Sequence, residues 1–317
     1  MTNDILVSVI VPTYNHEKYI ALCLESLVDQ QTNFNYEIVV GDDYSTDGNR
    51  QKIVEIANKY PGKFKLLLHE KNLGPKNFPG KNNSISCLQA ATGKYWAYCE
   101  GDDYWTDTHK LQKQVDFLET HTDYNICYHR AIIKKEDQIV DFEAGDTDAS
   151  DTSTLKDLLE KGNFMHTVTT VMRNPGVKTF PEWFHQIAAG DIAIYVLCLG
   201  DKKIKFMPEK MAVYNVHGQG IWGSKSRITN YLKEIKDLKI FYKALPSYSS
   251  IILNSLYNRY LFITDYYRLK GEAADTFKFE TKTILFCMAY NYKPSRNHWN
   301  LAMNVVKDYF RHKVKTT

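Results

Sequence analysis

Residues 6–11 (LVSVIV) form an almost unbroken apolar, β-branched run that stops at Pro12, after which apolar side chains recur at Ile20, Cys23, Leu24, Leu27 and Val28. The first pattern predicts a buried strand and the second one face of a helix. The unit then repeats. Residues 36–41 (YEIVVG) read as a second strand, followed by the polar stretch 42–49 and a helical pattern at Ile53, Ile56, Ala57 and Tyr60. A third strand is expected at 65–69, a helix at 82–91 closed by Gly93, and a fourth strand at 95–99 that runs into the acidic residues 100–103. Strands alternating with helices predict an α/β fold with a Rossmann-like, mainly parallel sheet and helices on both faces.

Further along, the periodicity predicts a helix at 110–119 and a strand at 124–134. The acidic, Gly- and Ser-containing stretch 136–154 reads as a loop, and 164–172 as β-rich. From residue 225 the pattern turns to helices dense in Tyr, Leu, Ile and Lys, punctuated by Pro246 and Pro294.

Composition changes this picture little. Hydrophobic residues at 44% and charged residues at 24% are ordinary for a globular chain, although 22 tyrosines are many. The net charge of +3 is unevenly placed, with 17 Lys and Arg against 7 Asp and Glu from residue 225 onward. That basic, aromatic tail is a candidate for peripheral contact with an anionic membrane surface, and equally a solvated helical face. The six cysteines show no metal-type spacing and read as buried thiols of a reducing compartment. No secretory leader and no apolar stretch of spanning length is seen, so a cytoplasmic location is expected, at most peripheral on the inner membrane face. No feature points to nucleic acid.

In a parallel sheet, ligands bind beyond the carboxyl ends of the strands. Tyr14 and Asn15 follow the first predicted strand, Asp42 and Asp43 the second, and Asp102 and Asp103 the fourth, so these clusters should converge at one edge. The segment 99–105 (CEGDDYW) sets three carboxylates at a strand end, an unfavourable concentration of like charge unless a cation joins them. A hard divalent ion, Mg²⁺ or Mn²⁺, is a natural partner. A solvated acidic turn capping the next helix accounts for the motif alone equally well.

The ordered segments VSVIVPTYN (7–15), EIVVGDDYSTDGN (37–49), NLG (72–74), ATGKYWAYCEGDDYW (91–105), GD (190–191) and VYNVHGQG (213–220) together resemble family 2 glycosyltransferases. The resemblance implies the glycosyltransferase A fold and inverting transfer of a sugar from a nucleotide-diphosphate donor, UDP-linked by preference, to a glycan or lipid-linked glycan acceptor in bacterial surface-polysaccharide synthesis. It divides the chain into a catalytic domain at 1–223, with a nucleotide-binding half at 1–105 and an acceptor-side half at 106–223, and a helical, basic region at 224–317. Oligomeric state, donor sugar and acceptor stay open.

Residue by residue, the resemblance gives Pro12 and Tyr14 to the donor base, with Tyr14 stacking on it, and Asp42 or Asp43 to the uracil N3–H. Lys81, with Lys76 as the alternative, stands near the family's donor-binding Arg. Asp102 corresponds to the ribose contact, Asp103 to the metal ligand and Asp191 to the general base. His217 corresponds to a further metal ligand or diphosphate contact. Departures occur at Glu100, where Asp is common, at Gly190, where Glu usually precedes the base, and at Asn215, where Arg is common. Trp222 is a candidate for the acceptor side, and the segment 163–174 has no assigned role. Two rivals remain: a catalytically degenerate relative that binds a nucleotide or a partner, and a sugar nucleotidyltransferase, whose Gly-rich loop after the first strand PTYNHEKY does not resemble.

Overall fold

The structure, a computed structural model, describes residues 4–74, 80–135, 138–140, 150–177, 179–217, 227–290 and 292–293. Contacts divide the chain into two compact units, Met1–Leu158 with Asn163–His185 and Ala189–Ser224, and Leu159–Gly162 with Gln186–Ala188 and Lys225–Thr317.

The first unit opens with β1 (Ile5–Thr13), α1 (Ile20–Val28), β2 (Asn35–Asp42), α2 (Asn49–Lys59), β3 (Phe64–Leu68), α3 (Lys81–Ala90) and β4 (Tyr95–Tyr98). It continues with β5 (Tyr104–Trp105), α4 (Lys110–Thr120), β6 (Tyr124–Lys135), β7 (Gln138–Val140), β8 (Thr152–Thr154) and, as far as Leu158, α5 (Leu155–Lys161). The last elements are β9 (Val171–Arg173), α6 (Glu182–Gln186), α7 (Gly190–Leu199) and β10 (Lys203–Val216). Among the described residues the strands form one sheet in the order β3-β2-β1-β4-β9-β6-β10-β5, with β7 on β6 and β8 on β10.

The first half, β3-β2-β1-β4, is parallel throughout. In the second half only β6 and β10 run parallel, and β9 enters antiparallel between β4 and β6. The sheet is therefore mixed there. Side-chain alternation covers both faces of the parallel half. Val7, Val9, Val11, Ile38, Val40, Tyr95 and Ala97 share one core cluster with Ile20, Cys23, Leu24 and Leu27 of α1, Ile53 and Ile56 of α2, and Leu111, Val115 and Leu118 of α4. The intervening Ile10, Val39, Trp96 and Tyr98 are buried on the other side, where α3 packs. Each fully buried Leu or Ile contributes about 2 kcal/mol.

The stretch 164–172 is not continuous strand. A 3₁₀ turn occupies Thr167–Thr169 and only Val171–Arg173 joins the sheet. The Thr169 and Thr170 hydroxyls donate to the carbonyls of His166 and Thr167 at 2.7 and 2.8 Å, a local alternative to ladder pairing. The stretch 136–154 contains β7 and β8, and its residues 141–149 lie outside the described ones.

The second unit carries α8 (Arg227–Ala244), α9 (Ser249–Leu269) and α10 (Ala273–Ala289), with Pro246 in a 3₁₀ turn between the first two. Arg259 of α9 is paired with Glu234 at 2.7 Å, and Ser255 donates to the Leu159 carbonyl at 2.7 Å. Tyr267 stacks on Phe279 between α9 and α10. Pro294 and the rest of the basic tail lie outside the described residues. Among those described, no helix is long and apolar enough to cross a membrane.

Two close approaches hold the parallel half in register. At Gly93 a Cβ would lie 2.6 Å from the Ser8 nitrogen and 2.7 Å from the Val7 carbonyl carbon. Gly93→Ala should therefore destabilise the protein by about 2 kcal/mol in urea denaturation. At the end of β2, Asp42 is wholly buried and accepts from Asn49, Ser45 and Arg50, the last at 2.8 Å. Burial works to raise its pKa, but these hydrogen bonds bring it below the ordinary value. The pair's stabilisation is thus full above about pH 4 and is lost as pH falls through the lowered pKa. Arg50→Ala should cost about 2 kcal/mol at neutral pH, allowing for solvent at the partly open Arg50. The difference from wild type should shrink as an acid titration of stability proceeds below pH 4.

Candidate functional site

Because β2, β1 and β4 are neighbours and parallel, the loops that leave them emerge side by side. Backbone bonds hold them together. The Gly101 N–H donates to the Pro12 carbonyl at 3.1 Å and the Asp43 N–H to the Thr13 carbonyl at 3.0 Å. A Cβ on Gly101 would fall 2.4 Å from the Thr13 hydroxyl, so the acidic loop approaches β1 this closely only because that residue is glycine.

The three carboxylates of the acidic loop have three different environments. The Thr167 hydroxyl lies 2.7 Å from both oxygens of Glu100, whose pKa is pushed up to about 7 by burial and then by the charge of Asp102. Asp102 lies with its Oδ2 2.9 Å from His217 Nε2 and 3.7 Å from His16 Nε2. Burial alone would raise the Asp102 pKa, yet the His217 hydrogen bond and the nearby imidazoles hold it below the ordinary value. Asp103 is enclosed: its Oδ1 accepts the Asn215 N–H at 2.8 Å, and its Oδ2 is buried without a hydrogen-bond partner among the described residues. Burial and the charges of Asp102 and Glu100 push its pKa well up.

Among the described residues, the donor atoms close enough to share one ion belong to His16, Asp102 and His217, all within 4.8 Å of one another. His217 thus meets Asp102, whereas the expected metal pair was Asp103 with His217. The difference follows from β10, whose Asn215 takes Asp103 with its backbone and the Asp102 carbonyl with its side-chain amide at 2.5 Å. That latch leaves the Asp102 side chain to face His217. Two imidazole nitrogens and one carboxylate oxygen fit a divalent ion, and the nitrogen content suits Mn²⁺ better than Mg²⁺. Tyr19 stacks on His217 at 5.0 Å, which fixes the plane of that ring.

At the β1 and β2 ends, Pro12 is buried in β1 and Tyr14 is 43% exposed. Asp42 is consumed by its ion pair. Asp43 accepts the Leu73 N–H at 2.7 Å through Oδ1, and burial raises its pKa. Asn15 and Tyr44 both adopt positive φ, +55° and +63°. The two turns are clipped together, the Asn15 N–H donating to the Ser45 hydroxyl at 2.9 Å and the Thr46 N–H to Asn15 Oδ1 at 2.8 Å. Asparagine tolerates this conformation; for tyrosine it costs about 1 kcal/mol or more.

Lys81, the first residue of α3, is buried, and its ammonium donates to the Phe184 and His185 carbonyls at 2.6 and 3.0 Å. Asp191 stands in the first turn of α7. Its Oδ1 accepts the Ile192 N–H at 2.8 Å and its Oδ2 the Asn163 amide at 2.5 Å, while burial raises its pKa. The Tyr214 ring lies tilted against His166 with centroids 4.6 Å apart, and burial, then the charges of Asp103, Glu100, Asp102 and Asp191, push its phenol up.

Residues that the sequence reading did not single out include His16, Asn163 and Thr167. The signal for the last two lay in the segment 163–174, which ties Asp191 and Glu100 to the same turn. Lys76, Gly218, Gly220 and Trp222 lie outside the described residues.

Residues 8–170 match the family profile described as Glycosyl transferase family 2. Over 218 residues, 68% of this chain and 60% of the relative, the sequence is 35% identical to an uncharacterized protein of Mycobacterium tuberculosis. It is 32% identical over 139 residues, 42% of this chain and 51% of the relative, to the Escherichia coli protein named UDP-Glc:alpha-D-GlcNAc-diphosphoundecaprenol beta-1,3-glucosyltransferase WfgD. These matches span no more than 60% of either relative's length. S. aureus TarS 1–349 in complex with UDP-GlcNAc superposes with a TM-score of 0.64 at 20% identity, covering 97% of this chain and 90% of that one. The mannosyltransferase PcManGT of Pyrobaculum calidifontis, in complex with GDP-Man and Mn2+, does so at 0.54 and 17% identity, covering 99% and 84%. Those two likenesses establish the fold, and the profile spans just over half of the sequence, from β1 through the turn that holds Glu100: the chain belongs to glycosyl transferase family 2.

Proposed function

We propose that this chain transfers a sugar, with inversion at the anomeric carbon, from a UDP-linked donor to an acceptor hydroxyl on a glycan or lipid-linked glycan. The observation that carries this reading is the 2.9 Å meeting of Asp102 with His217, 115 residues apart, beside the exposed Tyr14 and the buried Asp43. Tyr14 offers a ring face to the base. Asp43 accepts the uracil N3–H, a proton that cytosine lacks, because Asp42 is already engaged by Arg50 and Asn49.

Asp102 and His217, with His16 beside them, are the residues that would hold a manganese ion. Bound there, the ion would neutralise charge on the diphosphate. Asp191 takes the proton of the acceptor hydroxyl. Its raised pKa makes it a stronger base than an exposed carboxylate, and the Asn163 amide and Ile192 N–H fix its direction. Each of its oxygens keeps a second lone pair for that proton. Lys81 holds the end of α6 by its carbonyls rather than lying open to phosphate, so its role is structural.

The relatives favour this donor and acceptor. The name of the E. coli relative states a UDP-glucose donor and a diphosphoundecaprenol-linked acceptor, TarS was solved with UDP-GlcNAc, and PcManGT with Mn2+. The diphosphoundecaprenol-linked acceptor in the first of these names supports a bacterial surface-glycan role.

Two measurements test the reading. Transfer from radiolabelled UDP-sugars to lipid-linked acceptors should fall by about 100-fold or more in Asp191→Asn with the circular dichroism spectrum unchanged; full activity in that variant refutes Asp191 as the base. In thermal shift, UDP with Mn²⁺ should raise the wild-type melting temperature by about 4 °C. Asp102→Asn and His217→Ala should each lose most of the manganese-dependent part of that rise.

A further inference from the structure

Tyr44 is an expensive residue for its place. It follows Asp43 at the end of β2, holds φ at +63°, and leaves a large aromatic side chain 47% exposed. Glycine adopts this backbone freely, and a tyrosine there gains little from burial. The fold does not need its ring. Arg50, whose guanidinium lies 5.9 Å from the ring centroid, is held independently by Asp42 and by the His69 carbonyl at 2.6 Å. Arg50 therefore orients the ring, and the ring is not required to orient Arg50. The turn is also clipped to that of Asn15, so Tyr44 stands on the same rim as Tyr14, with Asp43 adjoining it.

A fixed, exposed aromatic face next to a buried hydrogen-bond acceptor is the chemistry that recognises a planar, hydrogen-bonding ring. We infer that Tyr44 is a specificity-determining residue, a second aromatic contact to the donor nucleobase beside Asp43. The inference rests on the nucleotide-donor reading above. It differs from a purely structural role because removing the ring relieves backbone strain while weakening the ligand.

The test is calorimetric titration of wild type, Tyr44→Gly and Tyr44→Phe with UDP and, separately, with inorganic pyrophosphate, both with Mn²⁺, alongside thermal melts without ligand. Tyr44→Gly should melt within about 2 °C of wild type or above it, bind UDP roughly five- to thirtyfold more weakly, as expected for loss of one base–aromatic contact, and bind pyrophosphate unchanged. Tyr44→Phe should behave as wild type. UDP affinity in Tyr44→Gly within twofold of a wild type that binds UDP overturns the inference alone, as does an equal loss for pyrophosphate. A wild type that binds pyrophosphate but gains nothing from the uridine overturns the donor reading and the Tyr44 assignment with it.

Discussion

Three carboxylates within four residues at the end of one strand impose the constraint on which the site is built. Left unpartnered in a partly buried loop, Glu100, Asp102 and Asp103 would repel one another and draw up their own pKa values until they were neutral. The chain meets this demand only at Asp102, which the imidazoles of His16 and His217 hold below the ordinary carboxylate range; the Thr167 hydroxyl on Glu100 and the Asn215 N–H on Asp103 fix those two side chains in place but leave their pKa values raised. These partners come from the segment before β9, the turn after β1 and the end of β10. Holding one acidic loop therefore draws together elements more than a hundred residues apart, and the residues that carry charge into the site are the ones that organise it.

A division of roles between neighbouring carboxylates recurs at β2. Asp42 and Asp43 are chemically identical neighbours, yet strand alternation sends them to opposite sides. Asp42 is enclosed with Arg50 and Asn49 and acts as a structural anchor. Asp43 takes one backbone N–H and lies beside the exposed tyrosines. Strain collects at this rim as well, since Asn15 and Tyr44 both adopt left-handed backbone there. Ligand-binding edges are where such conformations are retained.

Much of the parallel half was legible from pattern. Buried strands of an α/β sheet have β-branched runs, and helices of period 3.6 follow them, so β1 to β4 and the helices α1, α3 and α4 were placed within one or two residues of their observed bounds. Helix α2, by contrast, begins a turn before its apolar pattern, and the two-residue β5 was not anticipated. The 14-residue β10 was not read as a strand from pattern, because Lys203, Lys205, Glu209 and Lys210 break its apolar run with charge. The 164–172 segment misled because threonine is a good strand residue by propensity, and also one whose hydroxyl can close a turn on its own backbone.

The sequence by itself determined the family, the alternation of strands and helices, and the edge at which the polar loops emerge, since these depend on local periodicity and on motif order. Which aspartate faces which partner was decided only by tertiary structure. A one-residue step reverses the direction of a side chain, and long-range contacts such as Asn215 with Asp103 settle that step. Thus Asp102 rather than Asp103 meets His217, Asp42 rather than Asp43 takes the Arg50 ion pair, and Lys81 holds carbonyls. Local patterning specifies an element to within a residue or two, whereas hydrogen bonding discriminates between adjacent atoms.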